Sequence, residues 1–143
     1  MNARRLLSSL CAAGVGAVFV LAALPKLQDP ATFALAVYRY HLLPGALVNL
    51  AAMAMPWTEI LTGAALIAGR GTLRRAGALL AAAMLVIFTS AIALSLARGL
   101  DIACGCFSLS PAAAAAGWKN LVRNAFLFAA CLPPLLLRLP QEK

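Results

Sequence analysis

The sequence predicts an all-α integral membrane protein: a bundle of four transmembrane helices with a short interfacial helix and almost no soluble domain. Three observations carry this. The 143-residue chain is 64% hydrophobic and 11% charged, with a mean hydropathy of +0.92. A soluble domain is about 45–50% apolar and about 25% charged. Four apolar stretches each approach the ~20 residues that cross a ~30 Å hydrocarbon core. The basic residues sit at the ends of those stretches. A chain this short and this apolar has lipid as its main solvent, and backbone in lipid satisfies its own hydrogen bonds as helix. A β-barrel needs ~10-residue segments of alternating polarity, which this sequence lacks.

The first stretch runs from about Leu6 to Leu24. Arg4 and Arg5 before it resemble the start of a signal peptide, but Ala22-Ala23-Leu24 is a poor small-x-small cleavage site, so a retained helix is expected. The connection from Pro25 to Pro44 follows. Asp29-Pro30 reads as an N-cap with proline in the first turn, which predicts a short helix over about Pro30–Tyr40 with its tyrosines at headgroup level. The second span is about Ala46–Ala68, interrupted by Pro56 and Glu59. Gly69–Arg75 reads as a tight turn. The third span is about Ala76–Ala97. A loop from Arg98 to Gly117 holds Cys104-Gly105-Cys106 and the Ala112–Ala116 run, a helix former opened by Ser110-Pro111. The last span is about Leu121–Leu137, with a short tail from Arg138. No internal repeat or soluble domain boundary is visible, so residues 1–143 read as one transmembrane domain.

The formal net charge is +8. In a soluble protein that would suggest nucleic acid, but no basic stripe with interleaved aromatics is present. The cations instead follow the pattern of topology signals. With the N-terminus inside, Arg4, Arg5, Arg70, Arg74, Arg75, Arg138 and Lys143 lie inside. Lys26, Arg39, Arg98 and Lys119 lie outside, with Arg123 just within the last span. Both termini are therefore expected in the cytoplasm of a bacterial cell whose inner membrane holds the protein. The Cys-Gly-Cys loop then faces the periplasm, where disulfides persist.

Cys104 and Cys106 are the sharpest chemical feature. Two cysteines one residue apart can close a small ring, and the glycine between them permits the dihedrals required. Such a ring is strained and removes little chain entropy, so it suits exchange chemistry better than a structural staple. Arg98 favours a nearby thiolate and Asp101 opposes it. Two alternatives stand beside the redox reading: a pair of free surface thiols, or half of a thiolate site for Cu(I) or Zn. No second Cys or His cluster completes a four-ligand zinc site. Cys11 and Cys131 lie within spans and read as small apolar packing residues.

Glu59 stands near mid-span, where a carboxylate is costly and faces the bundle interior. Arg123 and Lys26 are its candidate partners. It is either a proton-handling or quinone-contacting group, or a polar clasp between helices. Pro56 removes a helical hydrogen bond and opens room for a kink. Trp57 next to it either lines a pocket or contacts lipid. His41 is the only histidine and reads as a solvated loop residue; Met53 and Met55 read as packing.

Taken together these segments resemble the MauE/DoxX-type redox-associated membrane proteins. The resemblance lies in Ala23-Leu24-Pro25-Lys26-Leu27-Gln28-Asp29-Pro30 with Phe33, and in Tyr40-His41-Leu42-Leu43-Pro44. It continues in Met55-Pro56-Trp57-Thr58-Glu59-Ile60 with Gly63, in Arg98 through Cys104-Gly105-Cys106-Phe107, and in Trp118 through Arg123-Asn124. Ser108 departs from the glycine that the resemblance leads one to expect there. The resemblance implies a four-helix inner-membrane protein connected with periplasmic disulfide formation, acting with a thioredoxin-like partner. In the methylamine setting such proteins support maturation of methylamine dehydrogenase, and the DoxX branch is linked to quinone-coupled chemistry. It carries functional roles onto Cys104, Cys106, Glu59 and Lys26. The expected activity is therefore a membrane thiol–disulfide relay, a possible oxidoreductase, with a membrane quinone as a candidate electron sink. A non-catalytic scaffold docking a partner through its loops is the competing expectation, and a small transporter built around Glu59 is a third.

Overall fold

Backbone amides in an apolar chain close on themselves, and every element described in the structure, a computed structural model, is helical. The structure describes residues 3–99 and 118–136. Cys104, Cys106, Asp101 and the Ala112–Ala116 run lie outside the described residues. Five helices follow one another: α1 (Ala3–Gln28), α2 (Pro30–Arg39), α3 (Gly45–Ile67), α4 (Gly71–Ala97) and α5 (Trp118–Leu136). Helices α1, α3 and α4 are long and apolar enough to cross a membrane; at 1.5 Å per residue, the 26 residues of α1 reach about 39 Å. Helix α5 has 19 described residues, is diluted by Lys119, Asn120, Arg123 and Asn124 in its first turns, and packs on α1 and α4.

Helices α1, α3, α4 and α5 form the bundle, and α2 lies against α3 and α1. The α1–α3 contact is the most extensive and rests on two glycines. A Cβ added to Gly16 would stand 2.8 Å from the Gly63 carbonyl oxygen, and one added to Gly63 would stand 2.7 Å from that of Gly16. The two backbones touch, as small residues allow between membrane helices. The core continues in small side chains: Ala12, Ala78, Ala81 and Ala82 pack with Val15, Phe19, Leu66, Met84, Leu85 and Cys131. Large apolar residues such as Leu50, Leu61, Leu79 and Phe126 point outward, the arrangement expected where lipid is the solvent.

The sequence-based boundaries shift in two places. Gly69–Arg75 was expected as a turn, yet α4 begins at Gly71, so Arg74 and Arg75 belong to the helix. Only Ala68–Arg70 separate α3 from α4, and Gly71 takes φ 52°, a conformation glycine adopts without a Cβ penalty. Helix α1 also runs through Pro25 to Gln28. Lys26, expected in a connection, therefore lies in the last turn of α1. Proline does not stop the helix there, and Asp29 still donates its N–H to the Pro25 carbonyl at 3.1 Å.

Helix α2 matches its sequence signals. Asp29 is the N-cap: its carboxylate accepts from the Thr32 N–H at 3.0 Å and from the Thr32 hydroxyl at 2.6 Å. The hydroxyl contact, then the backbone one, holds the Asp29 carboxyl below the usual carboxylate range. His41 ends this segment at φ 50°, its ring 5.5 Å from that of Tyr38.

At the opposite end of the bundle the arginines do more than mark topology. Arg74 donates through Nε to the Gly69 carbonyl at 2.9 Å and through Nη1 to the Ser9 hydroxyl at 3.0 Å. Arg75 donates to the Leu135 carbonyl at 3.2 Å. Two of these bonds use carbonyls just after α3 and in the last described turn of α5, the third uses the Ser9 hydroxyl of α1, and together they tie the start of α4 to three neighbours.

Candidate functional site

One buried ion pair dominates the bundle interior. Lys26 Nζ donates to Glu59 Oε1, and each residue is only 2% exposed. Helix geometry explains how they meet. Helices α1 and α3 run antiparallel through the Gly16–Gly63 contact. Lys26 lies ten residues beyond Gly16 and Glu59 four residues before Gly63, heights of about 15 Å and about 6 Å from the crossing. Helical side chains lean toward their own N-terminus. In an antiparallel pair Lys26 leans toward Glu59 and Glu59 toward Lys26, which closes the ~9 Å difference in height.

Two rings flank the ammonium. Phe33 of α2 has its centroid 5.2 Å from Lys26 Nζ, and Phe88 of α4 has its centroid at 5.5 Å. Both are within the ~6 Å range of cation–π attraction, which strengthens where water is excluded. The second carboxylate oxygen, Glu59 Oε2, and the Thr62 hydroxyl, one turn along on the same face of α3, are buried without a hydrogen-bond partner among the described residues.

Of the two partners expected for Glu59, the structure pairs it with Lys26. Arg123 stands close by: with Lys26, Glu59, Phe88 and Asn124 it lines a small cavity of about 30 Å³ between α1, α4 and α5. Asn124 is buried and donates to the Thr89 hydroxyl at 3.3 Å, while Arg123 Nη2 donates to Asn124 Oδ1 at 3.5 Å. A second cavity of about 200 Å³ lies on the other side of the pair, against α2 and α4. Lys26 and Phe88 line both.

Trp57 stands apart from this centre. It is 60% exposed on the outer face of α3 and lines neither cavity. Pro56, its neighbour, is buried within α3, and Thr58 donates to the Met55 carbonyl beside it at 2.7 Å. Arg98 is an exposed C-cap residue at the end of α4. Cys11 is half-buried and Cys131 fully buried, both as free thiols. Phe33, Phe88, Thr62 and the Asn124–Thr89 bond were missed as site features in the sequence. Apolar and hydroxyl residues in an apolar helix carry no signal of their own there, and only the register of the packed helices brings them to Lys26.

A sequence profile of the family described as Methylamine utilisation protein MauE matches residues 4–137. The chain belongs to the MauE family. It is 41% identical over 93 residues to the Methylamine utilization protein MauE of Methylophilus methylotrophus, covering 64% of this chain and 48% of that protein. It is 32% identical over 116 residues to the Methylamine utilization protein MauE of Paracoccus denitrificans, covering 80% of this chain and 61% of that protein. The chain thus spans about half to three-fifths of the curated relatives it matches. No solved structure matches it.

Proposed function

We propose that this MauE-family protein is a membrane thiol–disulfide protein that supports disulfide formation in a periplasmic client of methylamine utilisation. Cys104 and Cys106 are the reacting pair. The observation that carries the reading is the pair's setting in the sequence. It stands in the only long connection between spans that contains two cysteines, between the exposed end of α4 at Arg98 and the polar first turns of α5. Those turns bring Arg123 and Asn124 beside Lys26 and Glu59, so the connection leaves and re-enters the bundle at the end that holds its buried charges.

The exchange balances without further reagents. A thiolate of a thioredoxin-like partner attacks one sulfur of the Cys104–Cys106 bond, that bond breaks, and a mixed disulfide forms. The partner's second thiolate displaces the pair, leaving an oxidised partner and a Cys104, Cys106 dithiol. Two electrons and two protons then leave for an acceptor, for which a membrane quinone is the candidate. Arg98 and Asp101 bias the thiolate in opposite senses. Lys26, Glu59 and Arg123 serve as the polar centre of the bundle. The protein lies in the bacterial inner membrane with α5 as a fourth span and both termini cytoplasmic. A methylamine dehydrogenase-type client follows from the resemblance.

The test is complementation of growth on methylamine by Cys104→Ser, Cys106→Ser and the double variant, with thiol trapping of the partner. A relay loses growth in all three, and one single variant accumulates a mixed disulfide. Full growth with the double variant replaces the relay by a scaffold.

A further inference from the structure

We infer that the apolar cavity between α2, α4 and the Tyr40–Leu43 segment is a binding site for a neutral ring-bearing lipid of quinone type. We further infer that Lys26 is the hydrogen-bond donor at its floor. The proposal rests on the redox reading for its purpose, but its test uses neither cysteine.

Four features of the cavity select this ligand. At about 200 Å³ it is comparable with the ~150 Å³ apolar cavity that holds a single benzene ring. Its walls are largely apolar (Phe33, Val37, Leu43, Met55, Phe88 and Ile92, with Tyr40), and Lys26 is the one charged group among the described residues that line it. Ile87, which also lines it, is 63% exposed on the lipid-facing side of α4, so the mouth opens where a lipid-soluble molecule is already concentrated. Finally, the polar floor presents a donor without a net charge. An ammonium has three N–H donors; Lys26 gives one to Glu59, and the pair together is neutral. That combination suits a carbonyl oxygen better than an anionic headgroup, because Arg123, the remaining cation nearby, lines the other cavity only. The Phe33 and Phe88 rings, already on two sides of Nζ at 5.2 Å and 5.5 Å, offer faces for a flat ring to stack.

The shared position of Lys26 adds a consequence. Lys26 and Phe88 form the partition between this cavity and the smaller one that Glu59, Arg123 and Asn124 also line. Behind that partition Glu59 lines the same cavity as Arg123 and Asn124, and its buried Oε2 has no hydrogen-bond partner among the described residues. A ligand oxygen on Lys26 Nζ is therefore one ion pair away from an acceptor with a lone pair to spare.

The test is calorimetric titration of the purified full-length chain in detergent with decylubiquinone, and with laurate as the anionic amphiphile of similar size. Saturable decylubiquinone binding at one site is expected, weakened about tenfold or more by Ala91→Phe, which fills the cavity. Ile87→Trp at the mouth acts in the same sense and leaves the core untouched, so a folding defect in the first variant does not decide the matter. The Cys104→Ser, Cys106→Ser double variant binds like the natural chain; this separates failure of the site from failure of the relay. A photoreactive quinone should label Phe33, Ile87 or Phe88. Absence of saturable binding, equal affinity for laurate, unchanged affinity in both cavity variants, or labelling confined to other residues would each overturn the proposal.

Discussion

Replacing one member of the Lys26–Glu59 pair should damage the protein far more than replacing both. In Glu59→Leu the ammonium is left 2% exposed between two rings with no carboxylate. In Lys26→Met the carboxylate is left buried with neither oxygen bonded to any of the described residues. Breaking a buried pair this way costs about 3–5 kcal/mol. A lone charge at mid-bilayer costs about 2.5–3.5 kcal/mol on insertion scales, so about 3 kcal/mol is the expected loss for each single variant. The double variant Lys26→Met, Glu59→Leu removes both desolvated charges and keeps most of the volume, and such replacements are commonly neutral or stabilising. It should lie within ~1 kcal/mol of the natural chain. Reversible unfolding in mixed micelles, followed by circular dichroism, measures all three. Additive losses in the double variant would refute the coupling, as would single variants that each lose under ~0.5 kcal/mol, the scale of an ordinary surface change. The same variants separate fold from function: a stable double variant that no longer supports growth would show that the pair does more than hold helices together. Within this scheme Glu59→Gln, which keeps an acceptor for Lys26, should be milder than Glu59→Ala if the carboxylate is a clasp. Both should fail alike if it carries protons.

Four further outcomes are expected. Gly63→Val sets a side chain against the Gly16 carbonyl, where a Cβ alone stands at 2.7 Å; overpacking of about 1–3 kcal/mol or more should appear as a lower melting temperature in detergent, with Gly14→Ala, which meets open space, as the silent control. Reporter fusions after Gly71 and after Lys143 should read cytoplasmic and one near Ser110 periplasmic; an inside reading at Ser110 sets the cysteines in a reducing compartment and ends the disulfide proposal. Mass spectrometry after thiol trapping should find Cys104 and Cys106 joined and easily reduced, with Cys11 and Cys131 as thiols, and a bond from the loop to either of the latter would contradict the packing. Asp29 has a carboxyl pKa lowered by Thr32, so its capping contribution is complete above the unfolded value of about 3.9 and fades as pH falls through the lower folded value; exchange of the Thr32 amide should accelerate only in that acid range, and Asp29→Ala should abolish the dependence.

The helices were legible because each leaves a local trace. Apolar length marks α1, α3 and α4, and Asp29-Pro30 marks the start of α2 within a residue. Glu59 announced itself as a carboxylate in a greasy span, and Lys26 was among its named partners. The choice between Lys26 and Arg123 was not legible, because it depends on α1 continuing through Pro25 and on the height at which α1 and α3 cross. Proline read as a stop in the sequence, while the last turn of α1 accommodates it. The arginines gave a similar partial signal: their position predicted headgroup anchoring, but the bonds of Arg74 to Ser9 and Arg75 to Leu135 join residues more than fifty positions apart. The neighbours Pro56 and Glu59 allow Trp57 either a pocket or lipid contact, and helical rotation carries its side chain to the outer face, the lipid-facing alternative.

The buried pair also constrains how the chain can enter a bilayer during synthesis. Helix α3 emerging alone would present an unpaired carboxylate to the hydrocarbon, a cost comparable to several of its leucines. Helix α1 is made first and already carries the matching cation in its final turn. The glycine surfaces at Gly16 and Gly63 let the two approach to backbone contact. Insertion of α1 through α3 as one hairpin, with α3 withheld at the translocon until Lys26 meets Glu59, avoids exposing either charge to lipid. On this account a Lys26 variant is defective first in membrane integration of α3, before any chemistry is attempted.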